Sequence, residues 1–148
     1  MPNAEVELPL LAARLKAAGA VGLRAEMVAG LRAVAKPMVP LLQQSARTRL
    51  PRAGGLNEVV ASQKPKVQVR TTGRTAGVRV RSQVKGNYTN TGTWRHPVFG
   101  DRKKWVQETD DHAAGWWDDT IEAHGDEAKA AAMGVLRAVG RQVMGLGI

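Results

Sequence analysis

The hydrophobic pattern of the first third of the chain is helical. Leu8, Leu11 and Leu15 recur at intervals of three and four residues, which predicts a short helix that ends before Gly19. A second stripe keeps apolar side chains on one helix face for about four turns. Its members are Met27, Leu31, Val34, Met38 and Leu41 or Leu42.

Two prolines lie inside this second stripe. Pro37 and Pro40 each lack a backbone donor and crowd the preceding turn, so we expect a bend near Lys36, or a helix restart with Pro37 in its first turn. Cations at residues 47–49 suit the negative end of the helix dipole, and Pro51 with the following glycines ends the helix. The sequence therefore predicts a helical region over residues 8–50.

In the middle of the chain the pattern changes to strict alternation. Valines at 67, 69, 78 and 80 alternate with polar residues, which predicts two strands with one buried face, joined as a hairpin through residues 72–77. The residues between the valines then share the opposite face. The basic ones are Lys66, Arg70, Arg79 and Arg81. An ordinary solvated surface would also satisfy the alternation, but the repeated choice of arginine favours a surface that faces an anion.

The rest of the chain predicts a loop, an edge strand and a helix. Residues 85–92 are rich in turn formers and predict an exposed loop, and residues 94–99 predict a short aromatic strand at a sheet edge because Pro97 cannot donate to a ladder. Helical spacing resumes over residues 113–144, beyond which we expect the tail to fray. The order of these elements predicts a single α+β domain over 1–148, in which the N-terminal helices and the C-terminal helix pack against a small antiparallel β-sheet. Residues 56–106 hold the β-hairpin and the aromatic segment.

The aromatic residues are concentrated in one stretch. All four tryptophans and the single phenylalanine lie within residues 92–117. Large rings supply most of the bulky packing area in a chain of this composition, so we expect this stretch to serve packing and docking and to be the centre of stability. The residues assigned to this role are Trp94, Arg95, His96, Phe99, Trp105, Trp116 and Trp117.

The net charge of +9 is distributed unevenly along the chain. Residues 1–46 sum to +2, residues 47–104 to +12 and residues 105–148 to −5. Such polarity favours either a middle region that faces nucleic acid, or subunits that pack a basic middle against the acidic part of a neighbour. The acids expected at such an intersubunit contact are Asp110, Asp111, Asp118 and Asp119.

The sequence offers little to an enzymatic hypothesis. The chain has no cysteine, its three histidines sit in contexts that favour packing or exposure, and its paired aspartates lack companion groups for hydrolytic chemistry. Neither a phosphate-binding loop nor a nucleophile elbow occurs. We therefore expect no enzyme, no metal and no cofactor. No signal peptide and no apolar run of about 20 residues is present, which predicts a soluble protein without a membrane partner.

Three motifs carry a resemblance to a known family. They are ARTRLPRAGGL at residues 46–56, RHPVFG at 95–100, and the downstream Trp105, Gln107 and Gly115-Trp116-Trp117, with the basic hairpin between the first two. In their order and spacing these motifs resemble the small neck or tail-component proteins of long-tailed bacteriophages, encoded between the head-closure and tail-terminator proteins. The motifs cover about half of the chain.

The resemblance implies a non-enzymatic structural subunit, α+β in fold. Such a subunit assembles as a homo-oligomeric ring at the head-to-tail joint, in the neck of the virion, after synthesis in the host cytoplasm. Its partners would be the head-closure ring, the tail-terminator or tail-tube ring and, non-specifically, packaged DNA. The alternative is a standalone, sequence-independent nucleic-acid-binding protein, supported by the basic middle region but lacking aromatic residues on the basic strands.

Overall fold

The computed structural model describes residues 4–74, 76–98 and 101–145 and has an α+β fold. These residues form five helices and four strands, with short 3-10 segments at Ala53–Gly55 and Lys85–Thr91. The helices are α1 (Ala4–Ala17), α2 (Val21–Ala35), α3 (Met38–Arg49), α4 (Leu56–Ser62) and α5 (Trp116–Gly145); the strands are β1 (Lys66–Arg70), β2 (Gly77–Arg81), β3 (Thr93–Val98) and β4 (Asp101–Thr109). The predicted fold class is confirmed, with the strands divided between two two-stranded antiparallel sheets, β1–β2 and β3–β4.

The helical region is interrupted at the predicted places. Gly19 has a φ of 68°, a left-handed conformation that suits glycine, and it separates α1 from α2. Helix α2 ends at Ala35 and α3 begins at Met38, so the helix restarts after Pro37. The bend expected near Lys36 is thus present as a break between two helices.

Contacts divide the chain into two compact units, each built from separate stretches. Unit 1 comprises Met1–Pro37, Val67–Arg81 and His124–Ile148, and unit 2 comprises Met38–Lys66 and Ser82–Ala123. Helix α5 contributes its first residues to unit 2 and the remainder to unit 1. The single domain expected over 1–148 therefore contains two local cores.

The core of unit 1 lies between helices and the β1–β2 sheet. Its buried cluster joins one face each of α1, α2 and α5, and Val69 and Val78 of the sheet pack against it. The buried members are Leu8, Ala12, Leu15, Met27, Leu31, Leu136, Val139 and Val143. Val69 and Val78 therefore point toward the core, as the alternation predicts, while Arg70, Arg79 and Arg81 are exposed.

Unit 2 is centred on Trp116, which is 2 % exposed. Helices α3 and α4 contact each other, and β3 contacts both β4 and the 3-10 helix at Lys85–Thr91. Buried apolar residues of this unit include Leu42, Ala46, Leu50, Val60, Val84, Trp94 and Ala113. The side chains of Trp116 and Trp117 meet edge to face, with ring centroids 5.5 Å apart, a favourable arrangement of two aromatic quadrupoles.

Three segments differ from the expectation. Residues 56–62, expected within the hairpin and aromatic region, form helix α4, because a run of Leu, Val and Ala after the turn has buried positions at helical spacing. The expected exposed loop at 85–92 is a 3-10 helix that buries Thr89 completely. Residues 101–109 form a strand that the sequence pattern did not predict. Nearly all of its positions are exposed, so its apolar and polar residues do not alternate.

Among the described residues, no helix combines the length and the hydrophobicity that crossing a bilayer requires. Helix α5 is long enough, at 30 residues, but charged residues occur along it. The expected fraying beyond Met144 concerns residues 145–148. Gly145 is the last residue of α5, and residues 146–148 lie outside the described residues.

Candidate functional site

The structure presents three surfaces that could contact a partner. The first is the basic hairpin, which we define as β1 and β2 with Lys66, Arg70, Arg79 and Arg81. All four basic side chains are exposed. Arg70, Arg79 and Arg81 belong to unit 1, whereas Lys66 stands at the last position of its stretch of unit 2. Within the described part of the chain, the side chains of Arg79 and Arg81 make no hydrogen bond or ion pair, so their charges are available to an external anion.

The aromatic residues divide into buried and exposed members. Trp116 and Trp94 are 2 % and 7 % exposed, and the indole Nε1 of Trp116 donates a hydrogen bond of 3.1 Å to the hydroxyl of Thr89. A buried indole N–H needs an acceptor, and Thr89 supplies it. These two tryptophans pack inside the subunit. Phe99, assigned to the same role, lies outside the described residues.

Trp105 corrects the expectation that the aromatic residues share one stability centre. Its side chain is 52 % exposed, on a strand whose neighbours are exposed as well. The reason is that β3 and β4 form a two-stranded sheet by themselves, so the face carrying Trp105 has no layer to pack against. Trp105 is therefore a surface residue, suited to docking rather than to packing within the subunit.

The second surface is the ribbon, which we define as the antiparallel pair β3 and β4. Its register places Trp94 opposite Glu108, His96 opposite Val106 and Pro97 opposite Trp105. The pairing then jumps to Val98 opposite Asp101, so that Arg102, Lys103 and Lys104 bulge from β4 without partners on β3. The predicted edge position of Pro97 is confirmed, because in a two-stranded sheet each strand is an edge.

His96 is held on the ribbon by two polar contacts. Its Nδ1 lies 2.9 Å from the Pro97 carbonyl oxygen, and its Nε2 lies 2.9 Å from Glu108 Oε1, within ion-pair distance but without the alignment of a good hydrogen bond. The Pro97 carbonyl, followed by the Glu108 carboxylate, raises the pKa of His96 above its ordinary value of 6.5. Arg95, on the opposite face, is exposed beside Gln107.

The third surface is the acidic turn, which we define as residues 110–115 together with Trp116–Thr120 at the start of α5. Arg49 of α3 holds this turn: its guanidinium donates to the carbonyl oxygens of His112 and Ala114, at 2.9 and 2.6 Å, and pairs with Asp119 at 2.5 Å. The guanidinium of Arg49 uses all three of its nitrogens for these acceptors, whereas a lysine has its three donors on a single nitrogen. Asp119, expected at a subunit contact, therefore has a partner inside its own subunit.

Asn90 supplies the second anchor of the acidic turn. Its side-chain oxygen accepts hydrogen bonds from the backbone N–H groups of Trp117 and Asp118, and its side-chain nitrogen donates to the Asp118 carboxylate at 2.8 Å. The first N–H groups of a helix have no partner within the helix, so Asn90 caps α5 from a distant part of the chain. Asp118 is therefore also engaged internally, whereas Asp111 is exposed and makes no hydrogen bond or ion pair with any described residue.

Sequence reasoning missed Thr89, Asn90 and the specific role of Arg49. Thr89 and Asn90 lie in a run of turn formers that predicts exposure, and their partners are 27 or 28 residues away. The ARTRLP motif contains Arg49, but a cation at a helix end has a sufficient local explanation in the helix dipole. Only the three-dimensional contacts identify these residues as the supports of the acidic turn.

No described group of three or more His, Cys, Asp or Glu residues could hold a metal ion. His112 contributes its carbonyl oxygen to Arg49, and its backbone N–H bonds to Asp110. A small, partly open pocket in unit 2 is lined largely by apolar residues, among them Leu42, Val60 and Trp116. The lining of this pocket contains no acid, base or cation, so it offers no groups for acid–base chemistry.

Comparisons of the chain with protein families, with curated proteins and with solved structures find no match.

Proposed function

We propose that this chain is a non-enzymatic structural subunit of the neck of a long-tailed bacteriophage. In this proposal it forms a homo-oligomeric ring at the head-to-tail joint, around the DNA channel and between the head-closure and tail-terminator rings. The observation that supports it most directly is the ribbon, whose Val98, Trp105 and Val106 are 36 %, 52 % and 40 % exposed. Large apolar side chains that remain exposed together on one small element favour a surface that contacts other proteins.

The motifs of the resemblance occupy structurally important positions. ARTRLPRAGGL contains Arg49, which holds the acidic turn, and the Gly-Trp-Trp motif starts α5 with Trp116 at the centre of unit 2. Residues 95–98 of RHPVFG form most of β3. The shared motifs thus correspond to the framework of unit 2 and to its exposed ribbon, which is what a family of assembling subunits would need to keep in common.

The basic hairpin would face the DNA in this arrangement. A channel must let any sequence pass, so contacts should be to phosphate and independent of sequence. Exposed arginines without an ion pair to any described residue, such as Arg79 and Arg81, meet this requirement. Proximity of the hairpin to the channel is part of the proposal.

One observation favours the second candidate, a standalone nucleic-acid-binding protein. Trp105 is exposed next to Arg102, Lys103 and Lys104, and an exposed ring beside cations is a common arrangement in proteins that stack single-stranded bases. The basic strands β1 and β2 carry no aromatic residue, which argued against this candidate at the level of sequence. The ribbon instead provides an exposed aromatic ring beside cations on β4.

Light scattering coupled to size-exclusion chromatography, with negative-stain imaging of the same fractions, separates the two candidates. A structural neck subunit should form closed rings with a central channel at low ionic strength, and the purified rings should bind DNA weakly at physiological salt. A chain that remains monomeric at micromolar concentrations and binds single-stranded DNA with nanomolar affinity would contradict the ring and favour the second candidate.

A further inference from the structure

Strand β4 of the ribbon is almost uncovered for an element of a folded protein, whereas β3 buries Trp94. Eight of the nine residues of β4 are exposed, and the ninth, Asp101, is partly exposed. A two-stranded sheet is marginally stable on its own in water, and gains stability when another surface packs against it. Trp105 and Val106 place apolar side chains on both faces of the strand, since consecutive residues alternate in direction. Both faces of the ribbon therefore have apolar contact area to offer.

Charge is separated along the ribbon. The three cations of the bulge, Arg102, Lys103 and Lys104, lie at its turn end, opposed by one acid, Asp101, which accepts the Lys103 backbone N–H at 2.9 Å. The other end joins the acidic turn, where Glu108 precedes Asp110 and Asp111 and the acids of α5 follow. The ribbon and the turn at its base thus have opposite charge at their two ends.

The two ends cannot neutralise each other within one chain. Lys104 and Asp110 are six residues apart on an extended strand, which corresponds to about 20 Å. This exceeds the screening length of about 8 Å at physiological ionic strength. The basic end and the acidic end can therefore meet only when they belong to different molecules.

We propose that the ribbon docks onto a second copy of this chain, with the basic bulge of one copy against the acidic turn of the next and Trp105 buried between them. The contact joins two different surfaces, so it is head-to-tail, the kind that closes into rings. This inference rests on the proposed ring function and names the surface that would build it. The acidic turn is a preorganised binding surface, because Arg49 and Asn90 of the same subunit hold it in place.

The acids most available to the neighbour are those without internal partners. The side chains of Asp111 and Glu122 are exposed and make no hydrogen bond or ion pair with described residues, whereas Asp118 and Asp119 are held by Asn90 and Arg49. Glu122 follows Asp118 by four residues and so lies on the same face of α5. Substituting Asp111 and Glu122 changes the charge of the receptor surface without removing a contact of its framework.

Reciprocal charge reversal tests the docking directly. Lys103→Glu with Lys104→Glu should weaken self-association at low salt at least tenfold, measured by sedimentation velocity over a concentration series, and Asp111→Lys with Glu122→Lys should do the same. Each pair places like charges against each other across the contact. The chain carrying all four changes has both surfaces inverted, so its association should return to within about threefold of the parent.

Controls separate this contact from general charge effects. Lys16→Glu with Lys36→Glu, and Glu26→Lys with Glu127→Lys, alter exposed residues of unit 1 by the same net charge and should leave association unchanged. Trp105→Ala should weaken association in every charge background. Failure of the fourfold variant to recover, or parent-like association of Lys103→Glu with Lys104→Glu, would overturn the docking.

The outcomes also separate the docking from the ring function. Rings that persist in all the reversal variants would overturn the docking and leave the ring function standing. Charge rescue in assemblies that stay open or dimeric would support the docking and contradict the ring. Loss of DNA binding without any change in self-association would assign the bulge to nucleic acid and overturn the docking.

Discussion

At the scale of single residues, the tryptophans show that the same side chain serves two purposes in one stretch. Trp116 is enclosed and bonded to Thr89, whereas Trp105 faces solvent on the ribbon. Residue type alone could not distinguish them, because burial depends on whether another layer covers the face that carries the ring. The expectation that Trp105 supports the core was wrong for this reason.

Trp116→Ala should therefore destabilise the chain by roughly 3–5 kcal/mol, because it removes a large buried ring and leaves Thr89 without its donor. Trp105→Ala should change stability by no more than about 0.5 kcal/mol, as expected for an exposed position. Denaturant unfolding of dilute samples measures both values without interference from association. Equal losses from the two substitutions would contradict the division into a buried and a docking tryptophan.

The pKa of His96 is raised, and of its two causes the Glu108 carboxylate is the one that a substitution can remove. Glu108→Gln removes the carboxylate and should lower the pKa of His96, while the Pro97 carbonyl keeps part of the elevation. A group whose pKa is raised by folding contributes stability below its unfolded value, and the contribution is lost as the pH rises through the folded value. Nuclear magnetic resonance titration of the imidazole in both chains checks the shift; an unchanged midpoint would exclude Glu108 as a cause.

At the scale of elements, α3 is linked to the acidic turn by the side chain of Arg49, whose partners lie 63 to 70 residues further along the sequence. Arg49→Lys keeps the charge but loses the planar fork, so at least one carbonyl of the turn is left without its donor. We expect a loss of about 1–3 kcal/mol. Arg47→Lys, on the same helix, is the matched control: Arg47 pairs with Glu58 at 3.4 Å in an exposed setting and should cost about 0–1 kcal/mol. Chemical denaturation of both variants distinguishes the two roles, and equal costs would contradict the assignment.

Gly92 joins the 3-10 helix to β3 and has no room for a side chain. Its φ is 71°, and a Cβ there would lie 2.7 Å from the Asp110 carbonyl oxygen and 2.8 Å from the Ala114 Cβ. Gly54 has a similar φ of 73° but open space around it. Gly92→Ala should therefore cost about 1–3 kcal/mol more than Gly54→Ala, since both share the backbone strain and only one adds a clash. Melting temperatures of the pair check this, and matching values would show that the turn can move.

At the scale of the whole molecule, sequence reasoning recovered what depends on local periodicity. Helices α1 to α3, the break near Lys36, the β1–β2 hairpin and the inward valines follow from spacing alone. Strand β4 and the burial of Thr89 do not, because they arise from pairing and enclosure by segments far away in sequence. The candidate surfaces followed the same division: charged patches could be read from the chain, whereas the internal pairing of Asp118 and Asp119 could not.

The basic hairpin is the surface through which we expect the positive charge of the molecule to contact DNA. Arg79→Gln with Arg81→Gln should reduce the steepness of the salt dependence of DNA binding, by about 0.9 in logarithmic slope for each phosphate that the variant no longer neutralises. Folding should be unaffected, because both side chains are exposed. Binding isotherms at several salt concentrations measure the slope, with Lys16→Gln and Lys36→Gln as the control. A slope unchanged by the arginine pair would mean that the hairpin does not contact DNA.

The discontinuity of the two units has a consequence for the order in which the chain folds during synthesis. Unit 2 has all its parts once Ala123 has left the ribosome, whereas unit 1 needs α1 and α2 together with the part of α5 that begins at His124. The first helices made must therefore wait longest for their core partners Leu136, Val139 and Val143. In many proteins the N-terminal part folds first during translation. Here the middle of the chain is able to fold before its beginning.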